Sequence, residues 1–250
     1  MARRPQAKSS GRLTEMKVPT EAAEAIVAAI HAGDVATLRT IITDHPDRAS
    51  ATLGGRHSTR TPLHIVTDWP GFWPNGPEIV RLLAAAGADP DAGKPNEETP
   101  LHWAASSDDS HVAAALIEVG ADINAPNGSI GTPLANAVGY ACWDVARLLV
   151  ASGARAEAPW EAAALGLLAD LHQLLGNDPS PEAVSQAFWH ACSGGQRRAA
   201  EYLLARGADP NWVPEYAKGT PLDAVTGLST QRENLRDWLR EQGATSAEGD

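Results

Sequence analysis

Cysteine, long apolar runs and positive charge are all scarce in this sequence of 250 residues. Its two cysteines, Cys142 and Cys192, are too few for a disulfide framework or an all-cysteine zinc site, so we expect a reducing cytoplasm. No apolar run approaches the ~20 residues that cross a bilayer, and the basic N-terminus lacks the apolar stretch of a secretory signal. The 31 Asp+Glu outnumber 20 Lys+Arg, which argues against nucleic-acid binding.

Large core-forming side chains are equally scarce, since Phe and Met number two each. The chain has 46 alanines instead, which favours helices packed closely side by side. Because 22 Gly and 18 Pro interrupt helices, we expect these helices to be short. The eight tryptophans are unusual, and tryptophan is enriched where proteins bind other molecules. High Ala and Arg with only four Lys is typical of a GC-rich bacterial genome.

A repeat is the strongest pattern in the chain. Thr-Pro-Leu occurs four times and Gly-Ala five times. The copies begin at Thr61, Thr99, Thr132 and Thr220 for the first, and at Gly87, Gly120, Gly153, Gly207 and Gly243 for the second. From 99 to 132, from 87 to 120 and from 120 to 153 the spacing is 33 residues. A fixed period in this range predicts a stack of similar structural units.

Residues 97–129 illustrate one unit. Thr99 is a helix N-cap residue, and Pro100 suits the first helical position, where no N–H is needed. The pattern predicts a short helix to Ser107 and a second helix from about His111, which Gly120 ends as a left-handed cap. Neither helix buries its apolar face alone, so the stacking of units supplies the core.

These motifs resemble the ankyrin repeat. The resemblance rests on Thr-Pro-Leu-His at 61–64 and 99–102 and on Gly-Ala-Asp-Pro-Asn at 207–211. It implies an all-α solenoid of about seven helix-turn-helix units with short β-hairpin loops, in one domain over 20–247. The predicted units are 20–58, 59–96, 97–129, 130–155, 156–182, 183–217 and 218–247, and residues 1–19 and 248–250 are predicted to be disordered tails.

Unit two departs from the repeat through an insertion. Thr61 to Gly87 spans 26 residues (87 − 61), whereas the same interval spans 21 in the next two units, so five residues are added between its helices. The inserted loop, about 69–77, carries Trp69, Phe72 and Trp73 among prolines and glycines. These rings are either binding anchors on a stiff loop or a plug over neighbouring units, and the sequence does not decide between them.

The resemblance also implies a binding surface. In ankyrin proteins the residues that end the first helix, with the hairpin tips, usually contact the partner on the concave face. Together with the inserted loop, this predicts partner contacts at Asp68, Trp69, Phe72, Trp73, Ser106, Ser107, Tyr140 and Ser193. The predicted function is a protein–protein interaction scaffold or regulator with an unidentified protein partner.

A small-molecule pocket or a cofactor-free enzyme is the alternative. Imidazole and carboxylate groups are a possible acid–base pair, and aromatic residues of units two to four would line the pocket. The candidate catalytic residues would be His64, Asp68, Asp108 and His111. The sequence has no known catalytic or phosphate-binding motif, and His64 and His102 fit a structural role in their loops. We therefore predict no cofactor, no metal, no membrane or nucleic-acid partner, and a monomer.

Overall fold

The computed structural model describes residues 19–53, 60–93, 97–126 and 128–247. Its described part is helical, with 59% helix, fourteen α-helices and no β-strand. The first helices of the seven units are α1 (Thr20–Ala32), α3 (Pro62–Thr67), α5 (Pro100–Ser107), α7 (Pro133–Gly139), α9 (Pro159–Leu165), α11 (Pro181–Ser193) and α13 (Pro221–Ala224). The second helices are α2 (Val35–Asp44), α4 (Gly76–Ala85), α6 (Ser110–Glu118), α8 (Trp143–Ala151), α10 (Leu168–Leu175), α12 (Arg197–Ala205) and α14 (Thr230–Glu241). A 3-10 helix, Pro46–Ser50, follows α2.

The units stack so that like helices pack against like helices. Each first helix from α1 to α13 contacts the first helix of the next unit, and α2, α4, α6 and α8 form a second row behind them. This arrangement confirms the predicted all-α solenoid. It also places the ends of the first helices and the loops between units along one face of the stack.

The helix boundaries follow from local capping. Thr61 and Thr99 each form a capping box with the histidine three residues later, and Pro follows at the first helical position. After the second helices, the glycine of each Gly-Ala pair has a positive φ between 85° and 103°. Glycine adopts this conformation without the steric cost that a Cβ brings, which explains the recurrence of the dipeptide.

The core consists of two clusters of buried side chains that meet at α9. One runs from Ile26 to Ala164, and the other runs from Ala162 to Ala244. The three alanines of α9 are almost fully buried, so this helix joins the two clusters with small side chains. Each fully buried Leu or Ile contributes about 2 kcal/mol. The small alanine side chains allow the helices to pack closely, as the alanine-rich composition predicts.

Two details differ from the predicted layout. The predicted boundary between units five and six, at residue 182, falls inside α11, because Ser180 caps that helix two residues earlier by accepting the Ala183 N–H. In the described residues the predicted β-hairpins are turns with single backbone bonds, such as Gly128 N to Gly131 O at 2.7 Å. These loops are too short for a ladder of paired residues.

The predicted tails lie almost wholly outside the described residues. Residues 1–18 and 248–250 of these tails are not described, whereas Pro19 is the N-cap residue of α1. Among the described helices, none is long and apolar enough to cross a membrane.

Candidate functional site

Two adjoining cavities lie along the face formed by the first helices and the loops. The smaller encloses about 410 Å³ and is lined by Thr67, Asp68, Trp69, Glu98, Trp103, Ser106, Ser107 and Tyr140. The larger encloses about 670 Å³ and is lined by Ile130, Gly139, Tyr140, Trp160, Gln186, Trp189, His190, Tyr216 and Ala217. Tyr140 lines both cavities, so they form one continuous surface.

We call this surface the aromatic groove and define it by one ring from each of six successive positions along the stack. The rings are Trp69, Trp103, Tyr140, Trp160, Trp189 and Tyr216. Three of them are strongly exposed: Trp69 by 80%, Tyr140 by 53% and Tyr216 by 63%. Exposed aromatic side chains in a row are typical of a binding surface rather than of a folding core.

The inserted loop of unit two contacts units one and three but exposes two of its aromatic side chains. Trp73 stacks on His31 of α1 with ring centroids 4.0 Å apart, and the Asn75 Nδ2 amide donates to the Gly33 carbonyl at 2.9 Å. On the other side, the Phe72 N–H donates to an Asp109 carboxylate oxygen at 2.7 Å. Trp69 and Phe72 remain exposed, so within this loop one ring packs on unit one and two face solvent.

Arg60 connects the loop to the floor of the smaller cavity. Its guanidinium forms an ion pair with Asp68, and it also lies 5.2 Å from the centre of the Trp103 ring. The two contacts fix Asp68 and Trp103 relative to each other. Asp68 is therefore an ion-paired wall of the groove and not a carboxylate hydrogen-bonded to His64.

Two buried histidines link neighbouring units. The Nδ1 of His64 accepts the Thr61 N–H at 3.2 Å, and its Nε2 lies 3.0 Å from the Glu98 carbonyl in the next loop. His102 repeats this geometry, with Nε2 3.1 Å from the Gly131 carbonyl. These partners require a proton on Nε2. Burial lowers the pKa of both imidazoles, which favours this neutral form.

Other side chains occupy the histidine position in later units. In unit six the Trp189 indole N–H donates to the Gly219 carbonyl at 2.9 Å, which again joins a first helix to the next loop. In unit five the position is Glu161, whose carboxylate accepts the Glu157 N–H at 2.9 Å. Glu161 is buried, and this burial raises the pKa of its carboxyl group to about 7.

His190 forms part of the wall of the larger cavity. Its ring lies 4.8 Å from Trp160 and 5.0 Å from Trp189, and its Nε2 is 2.9 Å from the Tyr216 hydroxyl. Gln186 donates an amide N–H to the same hydroxyl at 3.2 Å, so the hydroxyl proton points toward the imidazole. Burial lowers the pKa of His190 to about 4, which keeps the ring neutral at pH 7.

The four candidate catalytic residues have separate structural settings. His64 links units two and three, and Asp68 pairs with Arg60. Asp108 accepts the N–H groups of Asp144 and Val145 at the start of α8, at 3.1 and 3.0 Å, and His111 is exposed on α6. Within the described ranges no group of three or more His, Cys, Asp or Glu residues is placed to hold a metal ion.

The cysteines also have structural surroundings. Both are buried free thiols in the core. Burial raises the pKa of Cys142 to about 11, and it also raises the pKa of the Cys192 thiol. A protonated thiol is a poor nucleophile, so neither side chain is prepared for covalent chemistry.

The predicted partner-contact residues are only partly gathered at the groove. Asp68, Trp69, Ser106, Ser107 and Tyr140 line the smaller cavity together. The remaining three lie elsewhere: Phe72 on the loop surface, Trp73 on α1, and Ser193 at the end of α11, where its carbonyl accepts from Arg232 at 2.9 Å.

Sequence reasoning missed the half of the groove beyond Tyr140. Trp160, His190 and Tyr216 were not among the candidate binding residues, although they line the larger cavity. A usable signal was present, because each unit from two to six carries at least one Trp or Tyr in or just after its first helix. Tyr216 gives no such signal, because it lies in the loop before unit seven.

The stacked helix pairs, the capping boxes and the inter-unit links define an ankyrin-repeat protein. In agreement with this, residues 72–159 match the family model for ankyrin repeats (3 copies). The chain is also similar to "Protein fem-1 homolog A" of Bos taurus and of Homo sapiens, each at 39% identity over 75 residues. These matches cover 27% of this chain but 12% and 11% of those proteins. Ankyrin repeats generally mediate protein–protein interaction.

Proposed function

We propose that this chain is an interaction scaffold or regulator that holds a protein partner along the aromatic groove. The observation that supports this best is the row of six rings from Trp69 to Tyr216, three of which are more than half exposed. Aromatic side chains give a large contact area at low entropic cost, and they are enriched among the residues that carry binding energy.

The inserted loop extends this surface at the N-terminal end. Trp69 and Phe72 provide exposed rings, while Trp73 holds the loop against His31. Because the loop is anchored on units one and three, its exposed rings lose little freedom on binding. In this proposal Trp69 and Phe72 contact the partner directly, and Trp73 positions them.

The test is affinity capture from the native host with matched variants. A groove variant carries Trp69→Ala and Tyr140→Ala, which remove two exposed rings without opening the core. A control variant carries Arg81→Ala and Arg147→Ala on the exposed surface of the second row. We expect wild type and control to recover the same protein and the groove variant to lose it. Recovery of that protein by the groove variant would overturn the proposal.

A small-molecule ligand in the larger cavity is the second candidate. The cavity of about 670 Å³ falls within the range of roughly 300–1,000 Å³ that is usual for ligand pockets. Its walls are four aromatic rings with the polar groups of Gln186 and His190. A metabolite that raises the melting temperature of wild type saturably, but not that of a folded Trp160→Ala variant, would favour this candidate.

The sequence-based expectations of a bacterial source, a cytoplasmic location and a monomeric state are part of the same proposal. The net charge of −11 suits a protein that stays dispersed in solution. Size-exclusion chromatography with light scattering tests the monomeric state directly. A mass near 26.2 kDa is expected, and a concentration-independent dimer would contradict it.

A further inference from the structure

We propose that the smaller cavity of the aromatic groove binds an arginine side chain from a basic segment of the protein partner. This inference rests on the proposed binding role of the groove and specifies what the partner inserts there. It follows from three features of the cavity: a carboxylate without a counter-charge, the aromatic rings beside it, and an arginine of this chain that already contacts one of these rings.

Glu98 gives the smaller cavity a negative charge that no cation offsets. Its Oε1 accepts the Ser129 N–H and an Asn136 amide N–H, both at 2.8 Å, and these bonds hold the carboxylate in place. Both donors are uncharged, and in the described part of the chain no Lys or Arg pairs with this carboxylate. Burial opposes ionisation of Glu98, but the bonds outweigh it and keep its pKa below the ordinary value. The cavity therefore contains a fixed anion at neutral pH.

The second carboxylate of the cavity is already neutralised. Asp68 forms an ion pair with Arg60, and none of the eight residues that line the cavity is Lys or Arg. A neutral segment seated here would remove Glu98 from water without a counter-charge, which is costly, and an acidic segment would be repelled. The charges of this cavity therefore favour a cation as its occupant.

Three aromatic rings line the cavity together with this carboxylate. They belong to Trp69, Trp103 and Tyr140, and the first and third are exposed by 80% and 53%. The face of an aromatic ring attracts a cation, and tryptophan attracts it most strongly. A cation that leaves water to enter this cavity thus gains both an ionic partner and ring faces in return.

An arginine of this chain is an internal example of the proposed contact. The Arg60 guanidinium lies 5.2 Å from the centre of the Trp103 ring while it pairs with Asp68. Arg60 itself does not line the cavity, so the space of about 410 Å³ remains open beside this pair. A second guanidinium, from the partner, would make the same two kinds of contact with the exposed rings and with Glu98.

The acceptors in the cavity favour arginine over lysine. The hydroxyls of Ser106 and Ser107 donate to carbonyls of their own helix, so their oxygen lone pairs remain free to accept, as does the carboxylate of Glu98. A guanidinium has five N–H donors in one plane, stacks on aromatic faces and is weakly hydrated. A lysine ammonium is a strongly hydrated point charge with three donors, and it loses more on leaving water.

The experiment is a titration of the full chain with N-acetyl-arginine amide, followed through the indole N–H signals of Trp69 and Trp103 in NMR spectra. N-acetyl-citrulline amide, which has nearly the same shape without the charge, is the control ligand. We expect the arginine compound to shift both signals saturably and the citrulline compound to bind at least about tenfold more weakly, because it cannot pair with Glu98. N-acetyl-lysine amide should bind with an affinity between the two.

Glu98→Gln is the variant that tests the carboxylate. Its amide oxygen can still accept the Ser129 and Asn136 N–H groups, so the variant removes the charge and keeps these bonds. We expect it to weaken binding of the arginine compound about tenfold without lowering the melting temperature. Glu118→Gln is the matched control, because it removes the same charge from the exposed ion pair with Arg81 outside the groove, and it should leave the affinity unchanged.

Several results would overturn the inference. Equal affinity for the arginine and citrulline compounds, a comparison that needs no variant, would show that the charge has no role. Equal affinity of Glu98→Gln and wild type, with unchanged melting temperatures, would refute the role of the carboxylate. Tighter binding of N-acetyl-trimethyl-lysine amide would assign the rings to a quaternary ammonium group instead. If the groove variant loses the captured protein while the arginine compound does not bind, this inference fails and the proposed function stands.

Discussion

Units two and three bond their first helices to the N-cap and to the next loop through the same residue, a histidine. The later units use different residues at this position. In units two and three a buried histidine bonds to the N-cap threonine of its own helix and reaches the carbonyl just before the N-cap threonine of the next unit. In unit six Trp189 makes the second of these contacts, and in unit seven Asp223 makes the first. The contact to the next loop is thus made by histidine in units two and three and by tryptophan in unit six.

The presence of Trp189 in place of a histidine changes the aromatic groove. Where histidine makes the link, the ring is almost fully buried and adds nothing to the groove. Where Trp189 makes it, the indole is large enough to donate its N–H and still line the larger cavity. The irregular half of the stack therefore has the larger cavity, and the regular half has the smaller one with the inserted loop beside it.

The largest effect is expected from removing the tryptophan link. Trp189→Ala deletes a ring packed against His190 and leaves the Gly219 carbonyl without its donor, so we expect a loss of about 3–4 kcal/mol of unfolding free energy. Chemical denaturation measures it. Trp189→Phe is the matched control, because it keeps a ring and should cost about 1 kcal/mol. Equal losses for the two variants would show that the bond has no role.

The histidine link should respond similarly but less strongly. His102→Ala removes a smaller buried ring and leaves the Thr99 N–H and the Gly131 carbonyl unpaired, for an expected loss of about 2–3 kcal/mol. Denaturation at pH 7 gives the value, with the exposed His111→Ala as control. A loss below about 0.5 kcal/mol, the usual size of a surface effect, would contradict the linking role.

Glu161 should make the stability of unit five depend on pH. Its folded pKa of about 7 lies above the ordinary value of 4.5, so the folded chain holds this proton more tightly than the unfolded chain. Its contribution is complete below about pH 4.5 and is lost as the pH rises through about 7. Glu161→Gln should therefore be more stable than wild type by about 2 kcal/mol at pH 8, but not at pH 4.5. A constant difference between the variants across this range would refute the shift.

The smallest effect is expected at the exposed ion pair between α4 and α6. Arg81 donates to Glu118 at 2.7 Å, but both side chains are at least half exposed. Arg81→Ala should cost less than about 0.5 kcal/mol, because solvent and salt weaken such pairs. Denaturation curves at low and high salt should nearly coincide with those of wild type. A larger, salt-sensitive loss would mean that exposed ion pairs hold the second row together.

The repeat made much of the fold predictable. Thr99, Pro100 and Gly120 carry local capping signals that do not depend on distant packing, and the structure has helix boundaries near all three. The predicted boundary between units five and six differs from the start of α11 because unit six has no Thr-Pro-Leu sequence, and its cap is Ser180 followed by Pro181.

The groove was less predictable than the helices. Trp160 occupies the position that is Leu63, Leu101 and Leu134 in other units, where periodicity predicts a buried side chain. The indole is only partly buried there and lines the cavity instead. Tyr216 reaches the same cavity from a loop, and loop positions have no fixed phase in the repeat.

One measurement tests the binding role of the groove most directly: the NMR signals of the indole N–H groups during titration with the protein partner recovered by affinity capture. The eight tryptophans give one such signal each. We expect the signals of Trp69, Trp103 and Trp160 to shift saturably, while those of Trp143 and Trp238, which lie outside the groove, stay in place. Unmoved groove signals, or equal shifts at Trp143 and Trp238, would contradict the account.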